Sequence, residues 1–320
     1  MEIYTSLYQL PDGLRSSVIT LGNFDGVHLG HQGLFRELIK KSRQHNCTST
    51  VFTFSPHPLK LLAPEKAPLL LSTLEEKRLL ISASQVERLI EAPFTREFAQ
   101  MSPVQFVDDL LVKRLKIKCL IVGYNYAFGC ERRGNIEFLK QRGREKGFEV
   151  MVIPPIGGDG PAFSSTRIRQ MVAAGQIAEV AQLLGRHFSL EGQVVQKEPR
   201  SRGLGLATVT LQTSKEQLPR AGLYAVNVRC GQQGVKGVAR IAAQAETGTG
   251  KTSVEVYMRD FVSRRGETSL SVDFLETLPG EFRIPELKMP FNDLACDVPH
   301  FHQWQGLNKP KTGQQPYSLI

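Results

Sequence analysis

The sequence predicts an α/β chain of two domains, a doubly wound parallel sheet followed by a smaller antiparallel barrel or sandwich. Two observations predict it. Through the first 185 residues, short β-prone runs alternate with longer stretches of helical period, the pattern of a parallel sheet with helices on both faces. After His187 the helical period stops, and short β-prone runs follow one another between turns. At 320 residues the chain is long enough for two separate cores.

In order, SVITLG (17 to 22), TSTVFTFS (48 to 55), QVERLIEA (85 to 92), KCLIVG (118 to 123) and FEVMVIPP (148 to 155) are strand candidates. The fourth is nearly all apolar, as a strand covered on both faces should be. Between them, GHQGLFRELIKKSRQHN, LEEKRLLISAS, PVQFVDDLLVKRLK and NIEFLKQRGREKG place apolar residues at helical spacing. The second domain is predicted from SLEGQVVQ, LATVTLQ, GLYAVNVRC, VKGVARIAA, SVEVYMRDF and SLSVDFLETL. From about Pro290 the chain has no period, and 290–320 is read as an irregular tail.

Forty Lys and Arg against 31 Asp and Glu give a net charge of +9, suited to phosphorylated ligands or to a plain basic surface. No basic block is long enough for a nucleic-acid tail, so no nucleic-acid partner is expected. Five scattered cysteines exclude a disulfide framework and a CxxC metal or redox site. Without a signal pattern or an apolar run of about 18 residues, the expectation is a cytoplasmic chain with no membrane partner. Nothing in the sequence indicates an oligomeric state.

Two stretches carry chemistry. LGNFDGVHLGH (21 to 31) leaves the first strand, turns on Gly22, Gly26 and Gly30, and enters a helix. Ligands of doubly wound sheets sit at the carboxyl ends of strands, where helix N-termini offer free N–H groups to phosphate. His28 and His31, three residues apart, are placed to donate hydrogen bonds to such an anion. Metal binding is the rival reading, and no third ligand is evident for it. FSSTRIRQMVAAG (163 to 175) puts Ser164, Ser165 and Thr166 at a second helix start, as caps or phosphate ligands, with Arg167 and Arg169 adding fixed charge.

GNFDGVHLGH, FTFSPHP (52 to 58), VGYNYAFG (122 to 129) and SSTRIR (164 to 169) occur in the order and spacing of the bacterial bifunctional riboflavin kinase/FMN adenylyltransferases, which the chain resembles. The resemblance implies a Rossmann-like nucleotidyltransferase domain at 1–186 that transfers the adenylyl group of ATP to FMN, releasing pyrophosphate and forming FAD. It places His28 and His31 on the ATP phosphates, with Gly22, Phe24, Gly26 and Gly30 in the loop around them. Ser164, Ser165, Thr166 and Arg167 would hold the leaving phosphates, with Mg²⁺ as cofactor. The flavin would lie toward Phe54, Asn125 and Phe128, although either phenylalanine could serve only the core. The part played by His57 stays open. Another nucleotidyltransferase with the same HxGH logic and a different phosphate substrate is the alternative.

The resemblance continues more weakly into a riboflavin-kinase-like β-barrel at 187–289, which implies riboflavin and ATP as further substrates. Glu255 matches the family's general base on the ribityl hydroxyl, and Thr208 and Thr210 fall in its Mg²⁺ and phosphate motif. That motif reads GLATVT (205 to 210) where the family has Gly-Phe-Pro-Thr-Ala-Asn, and Arg240-Ile241-Ala242 stands where Asn-Ile-Gly is usual. Kinase activity is therefore expected to be weak or lost, and a non-catalytic flavin-sensing barrel is the alternative. Finally, AETGTGKT (245 to 252) has the bare pattern of a phosphate-binding loop. Such a loop needs a following helix, yet TSVEVYMRDF alternates with β period, so Gly248, Thr249 and Gly250 are read as a hairpin turn and Lys251 as a surface charge.

Overall fold

The computed structural model describes residues 1–154, 163–198, 206–230, 233–242, 254–259 and 269–279. Two compact units form: Met1–Glu191 together with Thr213–Arg220 and Asp273–Glu276, and Gly192–Gln212 with Ala221–Val272 and Thr277–Ile320.

The first unit is built on six parallel strands: β1 (Glu2–Tyr4), β2 (Ser17–Leu21), β3 (Thr48–Phe54), β4 (Arg88–Ala92), β5 (Ile117–Gly123) and β6 (Glu149–Ile153). Their order is β1-β4-β3-β2-β5-β6, with every pairing parallel. All the strands expected here form. β1, an edge strand beside β4, adds to them, being too short at three residues to show a period.

Alternation along each strand feeds two cores, as a doubly wound sheet requires. Ile19, Leu21, Leu120 and Val122 enter one, with Phe106, Leu110 and Leu139. Val18, Val51, Cys119 and Ile121 enter the other, with Phe35, Leu38 and Ile81. The covering helices are α1 (Leu29–Gln44), α2 (Pro58–Leu62), α3 (Leu74–Ala83), α4 (Arg96–Ala99), α5 (Pro103–Gln105), α6 (Ile136–Lys146), α7 (Ser165–Ala174) and α8 (Ile177–Leu184). α5 runs on as a wider π-type helix over Phe106–Arg114, ending where Leu115 N–H donates to Leu110 C=O five residues back.

α3 starts in a full capping box: Thr73 Oγ1 accepts from Glu76 N–H at 3.1 Å, and Glu76 Oε2 accepts from Thr73 N–H at 2.9 Å. The same glutamate receives the buried Lys215 ammonium at 2.8 and 2.9 Å. Lys215 also donates to Ser189 C=O and stands 4.6 Å from the Phe188 ring centroid. A cation this deep is tolerated because carboxylate, carbonyl and ring surround it.

The later strands are β7 (Phe188–Glu198), β8 (Leu206–Gln212), β9 (Gly222–Cys230), β10 (Gln233–Ile241), β11 (Val254–Arg259) and β12 (Ser269–Thr277). They close as β10-β11-β8-β7-β12-β9, which decides the choice between barrel and sandwich in favour of a closed barrel. AETGTGKT lies outside the described residues. Its flanks, β10 and β11, are antiparallel neighbours with Ile241 opposite Val254, and a strand begins at Val254 where a phosphate loop would need a helix.

Candidate active site

The strand order reverses between β2 and β5, where β3 lies on one side of β2 and β5 on the other. A crevice opens at the carboxyl ends of strands at such a point. Here it is a cleft of about 1510 Å³, large enough for two substrates, bounded by the loops after β2, β3 and β5 and by the start of α7.

The loop after β2 is conformationally costly. Phe24 and Val27 sit at φ 49° and 39°, and Gly26 at 77°. A β-branched residue at positive φ is rare and persists only where its surroundings over-determine it. They do so here. Asp25, 5% exposed, accepts from Leu71 and Ser72 N–H at 3.0 and 3.2 Å and from Arg169 at 2.7 Å. Ser72 Oγ accepts Gly26 N–H, while Arg186 donates to the carbonyls of Gly26 and Val27. Burial lowers the Arg186 pKa to about 10. Ser165 Oγ donates to Asp25 C=O at 2.9 Å, pinning the start of α7 to this loop.

His28 caps α1, its Nδ1 accepting His31 N–H at 3.3 Å. A neutral His28 therefore carries its proton on Nε2 and can donate to a ligand. The two imidazoles stack with centroids 3.6 Å apart and planes 19° from parallel. Two cations could not stack so closely. Burial lowers the His28 pKa to about 4, with Arg186 and Arg169 adding to the fall and Asp25 opposing it. His31 is lowered well below its usual value, by burial first, then by His28 and Lys77. Its buried Nδ1 meets no hydrogen-bond partner among the described residues, as expected of a nitrogen kept for a ligand or water.

This gives a pH prediction. An unfolded histidine titrates near 6.5, so between pH 6.5 and about 4 the unfolded chain binds more protons than the native one. The stability contributed by the neutral pair is full above pH 6.5 and is lost as pH falls through the folded value. Urea midpoints measured from pH 7 to 4 should fall, and fall less steeply in His28→Gln. An equal slope in both proteins would refute the assignment.

The structure brings most of the expected residues to one cleft. Gly22, Phe24, His28, Gly30, His31, Phe54, Asn125, Phe128, Ser164, Ser165 and Thr166 all line it. Gly30 has to lack a side chain, since a Cβ would stand 3.0 Å from the His28 ring and 3.3 Å from Phe163. Phe24, 2% exposed, lies edge-on to His31 and so supports the histidine pair from beneath. Gly26 belongs to the loop but not to the lining. At the cleft wall the lining arginine of SSTRIR is Arg169 rather than Arg167, because Arg169 turns back to Asp25 and to Leu69 C=O.

The two phenylalanines differ. Phe54 joins Phe94 and Phe98 in an edge-to-face cluster at one end of the cleft. Phe128 is 6% exposed, packed among Phe106, Tyr126 and Phe138 and over Gly134, where a Cβ would stand 2.6 Å from its ring. Asn125 is exposed at the carboxyl end of β5. Sequence reasoning missed the supporting set of Asp25, Ser72 and Arg186. Only Asp25 carried a signal, since it stands inside the GNFDG stretch.

In the barrel, Thr210 lies opposite Glu255 and Thr208 opposite Tyr257, with Arg240 across from Glu255 on the other side. Val254, Val256 and Met258 are buried, so Glu255 and Tyr257 belong to the opposite face. Tyr257 OH donates to Glu255 Oε2 at 2.7 Å, and Arg240 Nη1 stands 3.4 Å from the same oxygen. Hydroxyl and carboxylate oxygens on one face are donors of the kind Mg²⁺ takes.

A parallel sheet with a histidine pair and two helix starts at its reversal point, followed by a closed β-barrel, defines a two-module nucleotide-handling transferase. Residues 11–167 match the FAD synthetase family model and residues 184–304 the riboflavin kinase model. The chain belongs to the bifunctional riboflavin kinase/FMN adenylyltransferase family. It is 33% identical to the enzyme of that name from Pseudomonas fluorescens over 299 residues, covering 93% of this chain and 96% of the relative. The Escherichia coli K12 enzyme is also 33% identical, over 312 residues, covering 97% and 100%. A solved structure described as a macrolide-efflux protein from Streptococcus pneumoniae aligns with a TM-score of 0.80 at 26% identity, covering 94% of this chain and 98% of that one. Among the described residues, no helix of this chain is long and apolar enough to cross a membrane.

Proposed function

We propose that residues 1–186 form an FMN adenylyltransferase that makes FAD in the cytoplasm, and that the barrel at 187–289 is a riboflavin kinase module of weakened activity. The observation that carries the first part is the stacked, neutral His28–His31 pair at the cleft floor, facing the same cavity as the α7 start. In the reaction an FMN phosphate oxygen attacks the α-phosphorus of ATP. The new P–O bond forms as the bond to the β-phosphate oxygen breaks, and pyrophosphate leaves with the electron pair. A phosphate monoester is already mostly ionised at neutral pH, so no general base is required.

Catalysis of this kind is positioning and charge stabilisation. His28 Nε2–H donates to the oxygens on which charge develops, and Ser164, Ser165 and Thr166 at the α7 N-terminus hold the leaving phosphates. Arg169, fixed by Asp25, adds positive charge at the same wall. Mg²⁺ bound to the triphosphate would neutralise its charge. In the barrel, Thr208 and Thr210 would hold Mg²⁺. There Glu255, as base on the ribityl hydroxyl, has one oxygen engaged by both Arg240 and Tyr257, which supports a weak kinase.

Incubation with Mg²⁺-ATP and either FMN or riboflavin, followed by chromatographic separation of the flavins, tests both parts. FAD should form from FMN, and its absence refutes adenylyl transfer. FMN should form from riboflavin far more slowly. Comparable rates would overturn the view of the kinase as weakened.

A further inference from the structure

A second cavity, of about 260 Å³, adjoins the main cleft and shares Asn23, Asp25, Phe54 and His57 with it. The α7 start lines the large cleft and is absent from the wall of the small one, which carries Lys77 and Lys60 instead. The small cavity therefore shares the Phe54 end of the cleft, while the α7 residues assigned to the leaving phosphates line only the large one.

Among the described residues Lys77 is short of partners. Its ammonium has one long contact, 3.5 Å to Thr53 Oγ1, for three N–H donors. The nearby acids are engaged elsewhere. Glu91 accepts from Arg78 Nε at 3.0 and 3.1 Å and from Nη2, and Asp25 is held by Arg169 and two backbone amides. Lys60 is paired with Glu216. Glu75, on the same wall, is exposed to solvent. Burial holds Lys77 below its usual pKa, and its charge reaches His31, whose own pKa it lowers.

A second donor stands beside it. His57 Nδ1 accepts Leu59 N–H at 3.2 Å, so the neutral ring carries its proton on Nε2, 3.0 Å from the Asn23 side-chain amide. The Asn23 atom at that distance is Nδ2, and since two N–H donors do not pair, turning the amide over puts its oxygen on His57 and leaves its NH₂ for another acceptor. Thr53 Oγ1 donates to Asn23 C=O, tying the loop after β2 to the end of β3 at this point.

We propose that Lys77 and Asn23, the latter oriented by His57, form the seat of the phosphate monoester of the flavin substrate. This rests on the adenylyl-transfer reading. A dianion seated here matches the lysine and lies next to the Phe54 end of the cleft that the histidine pair also lines. Within the seat, Lys77 is a binding residue for the attacking group rather than for ATP.

The test compares full-length wild-type protein, Lys77→Met and Lys77→Arg. With Lys77→Met, kcat/KM for FMN should fall about 10- to 100-fold, the loss of one charge-assisted hydrogen bond. KM for ATP and the inhibition constant of riboflavin against FMN should stay within about twofold, and Lys77→Arg should recover part of the loss. Flavin-fluorescence titration reads the same FMN-over-riboflavin preference without turnover. Absence of FAD synthesis in the wild type would thus refute the activity while the seat is still tested. An unchanged preference in Lys77→Met overturns the proposal. So does a rise in KM for ATP alone, which would assign the lysine to the triphosphate, or an equal loss of riboflavin and FMN affinity, which would make it structural.

Discussion

His28→Ala is expected to lower the rate of FAD formation by about 10²- to 10³-fold, the effect of removing one preorganised donor from a developing anion. The imidazole is fixed for that task. Its Nδ1 is committed to His31 N–H, its ring rests on the His31 ring, and Phe24 supports the pair from below. Truncation also removes the cap of α1, at a cost of about 1 kcal/mol, so the variant should melt a few degrees lower yet remain folded. Steady-state rates paired with a thermal melt separate the two effects. Turnover within tenfold of wild type, in a protein that is still folded, would remove His28 from the chemistry.

The second large effect belongs to Asp25. Asp25→Ala leaves the Arg169 guanidinium and the amides of Leu71 and Ser72 without their acceptor in a nearly dry setting. Removing one member of a buried pair costs about 3–5 kcal/mol, so the urea midpoint should drop steeply. The arginine at the cleft wall and the strained loop should be released together, and adenylyl transfer should decline beyond the loss of stability. A stability change below about 1 kcal/mol would mean that water replaces the carboxylate and that the loop is held by other contacts.

Much of this was legible in the sequence because it rests on short-range patterns. The helical and β periods placed the strands of the parallel sheet, except Glu2–Tyr4, whose three residues pair with the strand at Arg88–Ala92 for reasons that lie in the partner. The HxGH spacing located the histidine pair, since a helix start fixes both residues locally. What could not be read was long-range. Asp25 meets Arg169 across 144 residues, and Arg186 reaches Gly26 across 160. The resemblance put Arg167 on the phosphates, and it is the long-range pull of Asp25 and Leu69 C=O that also brings Arg169, two positions on, to the cleft wall. Phe128 shows the opposite limit: its ring is both core and cleft wall, so neither reading taken alone describes it.

The segment from Leu69 to Ser72 works largely through its main chain. Leu69 C=O receives Arg169, Leu70 offers its N–H to Glu216 and its C=O to Gln217 N–H, and the amides of Leu71 and Ser72 serve Asp25. Carbonyls and amides are common to every residue except proline, which lacks the N–H. What positions 69 and 70 have to inherit is therefore a path through space rather than a set of letters. Those two side chains are free to drift, proline at 70 apart, whereas Leu71 is buried against Gly26 and Ser72 Oγ bonds both Gly26 N–H and Asp25, so the last two letters are held.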